Sequence, residues 1–133
     1  MALNERSTKA LDGVHPDLIK VVELAHDLCQ QNSLDFVITE GCRTLARQRQ
    51  LVASGASKTL KSRHIPGTGG FSHAVDFAPI AAGEITWKWP AFEPIAAIFK
   101  VAAAKLGVKI EWGGDWRTFR DGPHVQLPWK DYP

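Results

Sequence analysis

Two histidines and an aspartate crowd the stretch SRHIPGTGGFSHAVDFAP, residues 62–79, and a third histidine follows in DGPH, residues 121–124. Two histidines and one carboxylate make the three protein ligands of a catalytic zinc site, which keeps its fourth position for water. Zinc held that way polarises a carbonyl and brings the pKa of its water toward ~7. Strand geometry decides which of these side chains can converge. If HAVDFAPI is a strand, its side chains alternate, so His73, Val75 and Phe77 share one face while Ala74, Asp76 and Ala78 share the other. Val75 and Phe77 belong to the core, which turns Asp76 away from His73. His64 precedes a glycine-rich loop that can fold back to the Asp76 side. In PHVQLP the same alternation sets His124 and Gln126 opposite Val125 and Leu127, so His124 and Asp76 converge if their strands are neighbours. His64, Asp76 and His124 are the candidate metal ligands; histidines satisfied at strand ends are the alternative.

A metal hydrolase also needs a general base near the attacking water. Asp121 is three residues before His124, and Asp115 in WGGDW competes with it; either could instead form a turn beside its glycine. Arg43, between a strand end and a helix start, is placed to hold a developing oxyanion or a substrate carboxylate, or else to pair with Glu40.

The elements that must carry these residues can be read from periodicity. GVHPDLIKVVELAHDLCQQN is a helix, with Leu18, Ile19, Val22, Ala25 and Leu28 at helical spacing and Pro16 in its first turn. His26 falls with Glu23, Asp27 and Gln30, which predicts a surface position. LDFVITEG is a strand ending at Gly41. TLARQRQLVASG is a second helix with Thr44 as N-cap and Gly55 as its stop. There Gln48 shares a stripe with Leu45 and Val52, so its amide points inward, as a structural hydrogen bonder or a substrate contact. Residues 56–72 are a long loop, the kind usually functional or mobile. EPIAAIFKVAAAKLG is a third helix, with Ile95, Ile98, Phe99, Ala102 and Leu106 on one face and Gly107 at its end. VKIEWGGDW is a strand breaking into a turn, and GPHVQLPW contains a short strand. With no helix between the late strands, the class is α+β: a small mixed or antiparallel sheet with helices packed beside it.

At 133 residues the chain has the size of one domain, read as 1–133. Five tryptophans in that length argue for a well-packed interior. The net charge of +2 is scattered among acids and makes no stripe for nucleic acid. Cys29 and Cys42 stand in no metal-binding spacing and read as reduced core thiols, which fits synthesis in the cytoplasm. MALNERSTKALDG has no apolar signal region, and no segment approaches the ~18 apolar residues of a membrane span. No stable membrane association is therefore expected.

SRH, HAVD and DGPH, preceded by EGCRT and WGGDW, resemble the zinc peptidases that cut bacterial cell-wall peptides, the group of the D-alanyl-D-alanine carboxypeptidases and dipeptidases. That family's pattern is SxHxxGxAxD followed downstream by a carboxylate, two residues and a histidine. The likeness is greatest to short bacteriophage endolysins that are L-alanyl-D-glutamate peptidases, and it runs from GVHPDL to PHVQL. The resemblance implies the hedgehog-like zinc peptidase fold, with Zn2+ on His64, Asp76 and His124. It implies Asp121 as the catalytic carboxylate, Arg43 as the substrate-binding and transition-state arginine, and Ser62 as support. Gln48 stands where the endolysins also tend to carry glutamine. It further implies cleavage of the L-alanyl-D-glutamate bond of peptidoglycan stems during host lysis. The enzyme would be a monomer made in the host cytoplasm, without a separate wall-binding domain, and dependent on a holin-type partner to permeabilise the membrane. Positive charge and exposed tryptophans would then supply its wall affinity. The alternatives are a D-alanyl-D-alanine carboxypeptidase or dipeptidase, and a non-catalytic wall-binding module with a structural zinc. One departure stands out: the family spaces its first histidine and aspartate seven apart, and here they are twelve apart. The five extra residues, around GTGGF, are expected to reshape a rim of the site and leave the ligands alone. His73 stands where the family often has a histidine that is not a ligand.

Overall fold

A computed structural model of the chain describes residues 3–57, 62–118 and 120–133. Its elements in order are α1 (Glu5–Ala10), α2 (Pro16–Gln31), β1 (Asp35–Glu40), α3 (Leu45–Ala53), β2 (Ala74–Ala81), β3 (Glu84–Ile85), α4 (Trp89–Leu106), β4 (Glu111–Trp112) and β5 (His124–Gln126). Among the described residues the strands form one five-stranded sheet in the order β1-β2-β5-β4, with β3 also paired to β2. Every strand pair is antiparallel. This is the expected α+β arrangement, in the antiparallel of its two forms.

Alternation gives the sheet two different faces. Phe36, Ile38, Val75, Phe77, Val125 and Leu127 point to one side and are buried with α2 and α4. Phe77 and Phe99 rings sit 5.0 Å apart, and Phe36 and Phe99 rings 5.1 Å apart, so aromatic packing pins α4 to the middle of the sheet. Asp76, His124 and Gln126 therefore emerge on the other face.

Each helix follows from local chemistry. Pro16 opens α2, and the His15 ring nitrogen Nδ1 accepts the Asp17 N–H at 3.0 Å as an N-cap. Thr44 caps α3 as expected. The third predicted helix, α4, begins four residues before Glu93, because Pro90 is tolerated in a first turn, and it ends at Gly107 with φ 69°. Its Leu106 is exposed and Ile98 only half-buried, so the apolar face is narrower than the spacing implied. The six-residue α1 has no apolar period and was not expected; its buried Ser7 Oγ accepts the Ile38 N–H at 2.9 Å and covers the β1 edge.

Four further expectations need correction. His26 is buried: its Nε2 lies 3.2 Å from Asp35 Oδ1 and its ring is edge-on to Phe36, so the carboxylate at the strand start draws it inward. Cys42 is exposed, whereas Cys29 is a core thiol, pushed up to about 12 by burial and by the Asp35 charge. Trp112 alone of the five tryptophans is buried, and Trp87 and Trp129 are exposed, so the aromatic core is built mainly by phenylalanine. The inserted loop does not lie at the sheet face carrying Asp76: Ser72 N–H donates to Gly13 O and His15 N–H to Ser72 O, both at 2.9 Å, docking the segment on the start of α2. Residues 58–61 of the expected loop lie outside the described residues.

Candidate metal centre and active site

β2 and β5 pair with Asp76 directly opposite His124. Asp76 Oδ1 lies 3.4 Å from His124 Nδ1 and 3.3 Å from His64 Nε2. Donor atoms of the three residues all fall within 4.8 Å of one another, the one such set of His, Cys, Asp or Glu side chains among the described residues. His73 is not part of it; its ring packs 5.4 Å from His15, on the far side of β2 from Asp76.

His64 arrives by a turn held from both sides. Ser62 Oγ accepts the His64 N–H at 3.2 Å, and His64 O accepts the Arg43 N–H at 2.7 Å. The ring nitrogen Nδ1 lies 2.8 Å from Gly41 O. A carbonyl only accepts, so the His64 proton is on Nδ1 and the Nε2 lone pair faces Asp76. Gly41 is required there, since a Cβ would stand 2.0 Å from Ala10 O.

A cation fits this set. Asp76 Oδ1 is buried and has no hydrogen-bond partner among the described residues, although two imidazole nitrogens face it. A buried acceptor left without a donor is costly, and a metal ion bound by two neutral imidazoles and a carboxylate removes that cost. Burial alone would raise the Asp76 carboxyl, but the close approach of His124 and His64 outweighs it and holds it below the usual carboxylate range. Burial opposes charge on His124 as well, yet Asp76 and Gln126 raise its pKa on balance.

Asp121 shares the groove with the three donors, and Asp115 does not: Asp115 is exposed and pairs with Lys100 Nζ at 2.7 Å. Burial and the Asp76 charge push the Asp121 carboxyl up, against the pull of His124, His64 and Arg43. The WGGD turn holds it. Asp121 N–H donates to Gly113 O at 3.0 Å, Trp112 Nε1 donates to Gly122 O at 2.7 Å, and a Cβ on Gly113 would stand 2.3 Å from Asp121 O. Two adjacent glycines were the sequence signal for that close approach.

Arg43 makes the Glu40 pair and reaches the site as well. Its Nε and Nη2 fork the Glu40 carboxylate at 2.7 Å each, Nη1 donates to Gln48 Oε1 at 2.6 Å, and Nη2 lies 4.0 Å from Asp76 Oδ2. Gln48 is fully buried and donates onward to Ser57 Oγ at 2.8 Å, linking Arg43 to the chain just past the end of α3.

Around these residues runs a groove of about 680 Å³, lined among others by Glu40, Ser62, Trp116 and Trp129. The Trp116 ring lies 5.2 Å from His124. A larger cavity of about 830 Å³ lies between α1 and α2, away from the metal-donor set, and Phe71 of the inserted loop lines it. No described residue from 65 to 72 lines the groove, so the five extra residues are not found at its rim.

Sequence reasoning missed Arg63. Its guanidinium is buried and donates to Leu127 O at 3.1 and 2.9 Å and to Tyr132 O at 2.5 Å, tying the residue before His64 to the segment after β5. Nothing local signals a partner 64 residues away.

Comparison with known proteins finds relatives along nearly the whole chain. The chain is 36% identical over 138 residues to the L-alanyl-D-glutamate peptidase of Escherichia phage T5, covering 92% of this chain and 95% of that protein. It is 39% identical over 106 residues to the L-alanyl-D-glutamate peptidase of Listeria phage A118, covering 80% of this chain but 35% of that longer protein. The crystal structure of Serratia marcescens L-Ala D-Glu endopeptidase ChiX superposes with a TM-score of 0.88 at 42% identity, over 100% of this chain and 94% of that one. The family model for phage L-alanyl-D-glutamate peptidases matches residues 1–127, and the chain belongs to that family.

Proposed function

We propose that the protein is a zinc-dependent endopeptidase that cleaves the L-alanyl-D-glutamate bond of peptidoglycan stem peptides. The observation that carries this reading is the buried, unpartnered Asp76 Oδ1, faced by His64 Nε2 and His124 Nδ1 at the floor of a groove that also holds Asp121. His64, Asp76 and His124 would hold Zn2+, with Ser62 bracing the His64 turn. Bound there, zinc would supply a Lewis acid for the peptide carbonyl and would acidify the attacking water. Asp121 takes the proton from that water and returns it to the departing amine. Its raised pKa suits both roles. Arg43, fixed by Glu40 and Gln48, presents cationic charge to the oxyanion without having to reorganise.

Two relatives are L-alanyl-D-glutamate peptidases of phages, and the role that goes with this reading is host lysis. In this reading residues 1–133 act as one catalytic domain and as a monomer. No described helix is long and apolar enough to cross a membrane. The reading also includes synthesis in the host cytoplasm and a holin-type permeabiliser that opens the way to the wall.

Digestion of purified peptidoglycan, with mass spectrometry of the new termini, tests the assignment. Stem peptides beginning at D-glutamate are expected. Free D-alanine as the product would replace it with a D-alanyl-D-alanine carboxypeptidase or dipeptidase. A folded, zinc-loaded protein that binds wall and releases nothing would make it a binding module.

A further inference from the structure

Strand β4 contributes two residues, and one of them stands opposite Gln126: the register pairs Glu111 with Gln126. The Gln126 side chain bridges two groups on the metal-donor face of the sheet. Its Nε2 donates to Glu111 Oε1 at 2.9 Å, and its Oε1 lies 2.8 Å from His124 Nε2. A carboxylate only accepts hydrogen bonds, so Glu111 dictates which end of the amide turns toward it. That leaves the amide oxygen for the imidazole. An amide oxygen also only accepts, so the His124 proton is required on Nε2, and Nδ1 keeps the lone pair that faces Asp76 Oδ1 at 3.4 Å.

The competing arrangement is plain from the same distances. In a protein without metal, a proton on His124 Nδ1 would satisfy the unpartnered Asp76 Oδ1 and block the nitrogen that a metal needs. Gln126 provides the opposing acceptor at the back of the ring.

We propose that Glu111 and Gln126 act as a positioning relay that selects the Nε2–H tautomer of His124 and so keeps Nδ1 open for metal. This rests on His124 being a metal ligand, as proposed above. Glu111 orients an amide, the amide orients a proton, and neither residue touches the ion. A neutral amide rather than a carboxylate behind the ring also puts the relay's negative charge one side chain further from the metal.

The test uses the metal-free and zinc-loaded forms of the Gln126→Leu protein. Long-range ¹⁵N–¹H NMR on the metal-free protein, at alkaline pH where imidazole is neutral, is expected to show His124 protonated on Nε2 in the native sequence and on Nδ1 in Gln126→Leu. Zinc affinity, read by competition with a chromophoric chelator, should fall about 10–100-fold, the scale for losing the partner behind a metal-bound histidine. Glu111→Gln with Gln126→Glu exchanges donor and acceptor and should restore the tautomer. A purely structural role for Gln126 would lower the melting temperature and leave the tautomer unmoved. An unchanged tautomer in Gln126→Leu overturns the relay. If that variant does not fold, the exposed Glu111→Ala carries the test: a mixture of tautomers with weakened zinc binding supports the relay, and native values overturn it. The tautomer is read without metal or substrate, so failure of the peptidase assignment and failure of the relay are distinct results.

Discussion

Replacing Arg63 with alanine is expected to cost about 3 kcal/mol of stability. Arg63 is 4% exposed, and its guanidinium serves Leu127 O twice, Tyr132 O once and, more loosely, Pro128 O at 3.4 Å, while lying 4.0 Å above the Trp129 ring. Leu127 is fully buried, so its carbonyl finds no water to replace the lost donor, at a cost of about 1.5–3 kcal/mol for a bond to a charged group. The half-buried Tyr132 recovers part of its bond from solvent, and the cation–ring contact adds about 0.5–1 kcal/mol. At about 2.1 cal/mol/K per residue the unfolding entropy is about 0.28 kcal/mol/K, so the melting temperature should drop by about 10 °C. Urea titration followed by tryptophan fluorescence gives the free energy, and circular dichroism gives the melting temperature. Arg63→Lys, which keeps the charge but not the fork, should fall between the two. A loss below about 1 kcal/mol at unchanged m-value would refute the reasoning, because it would mean that the carbonyls after β5 do not depend on the guanidinium.

Two further outcomes follow from the site and the far side of β2. Asp121→Ala should retain zinc and a native melting curve while turnover on peptidoglycan fragments falls by about 10²–10⁴, the usual scale for a general base; full turnover would remove Asp121 from the mechanism. His73 is held down to about 4 by burial and by the charges of Arg63 and His15. Its unfolded value near 6.5 is higher, so the unfolded chain takes up the proton first, and stability complete above 6.5 is lost as pH falls toward 4. His73→Gln should therefore lose less stability over that interval than the native protein in paired urea melts, and parallel losses would count against the assignment.

The parts of this protein that follow a period were legible in its sequence. Strand alternation separated Asp76 from Val75 and Phe77, and sheet register then set Asp76 opposite His124. It also separated His64, which faces Asp76, from His73, which packs against His15. What failed depended on partners that no local pattern announces. Helix spacing put His26 among polar neighbours, but Asp35, nine residues on, reaches back to it. Gln126 was placed on the His124 face, yet its hold on that ring depends on Glu111 across a strand pair. The family pattern located the five extra residues along the chain but said nothing of the side toward which the backbone would turn. Consecutive positive φ angles at Gly69 and Gly70, 81° each, accompany the turn that brings Ser72 against Gly13.

That inserted loop has a use of its own. Gly67 N–H meets Phe71 O at 2.9 Å, so the loop closes on itself before Ser72 fastens it to the start of α2. The contacts that position His64 come from Gly41, Arg43 and Ser62, all outside it. Chain length between Pro66 and Phe71 is thus decoupled from the ligand geometry, and a peptide spliced there would be displayed on the flank away from the groove. The segment offers a permissive attachment point through which a wall-targeting tag could be carried without crowding the scissile bond.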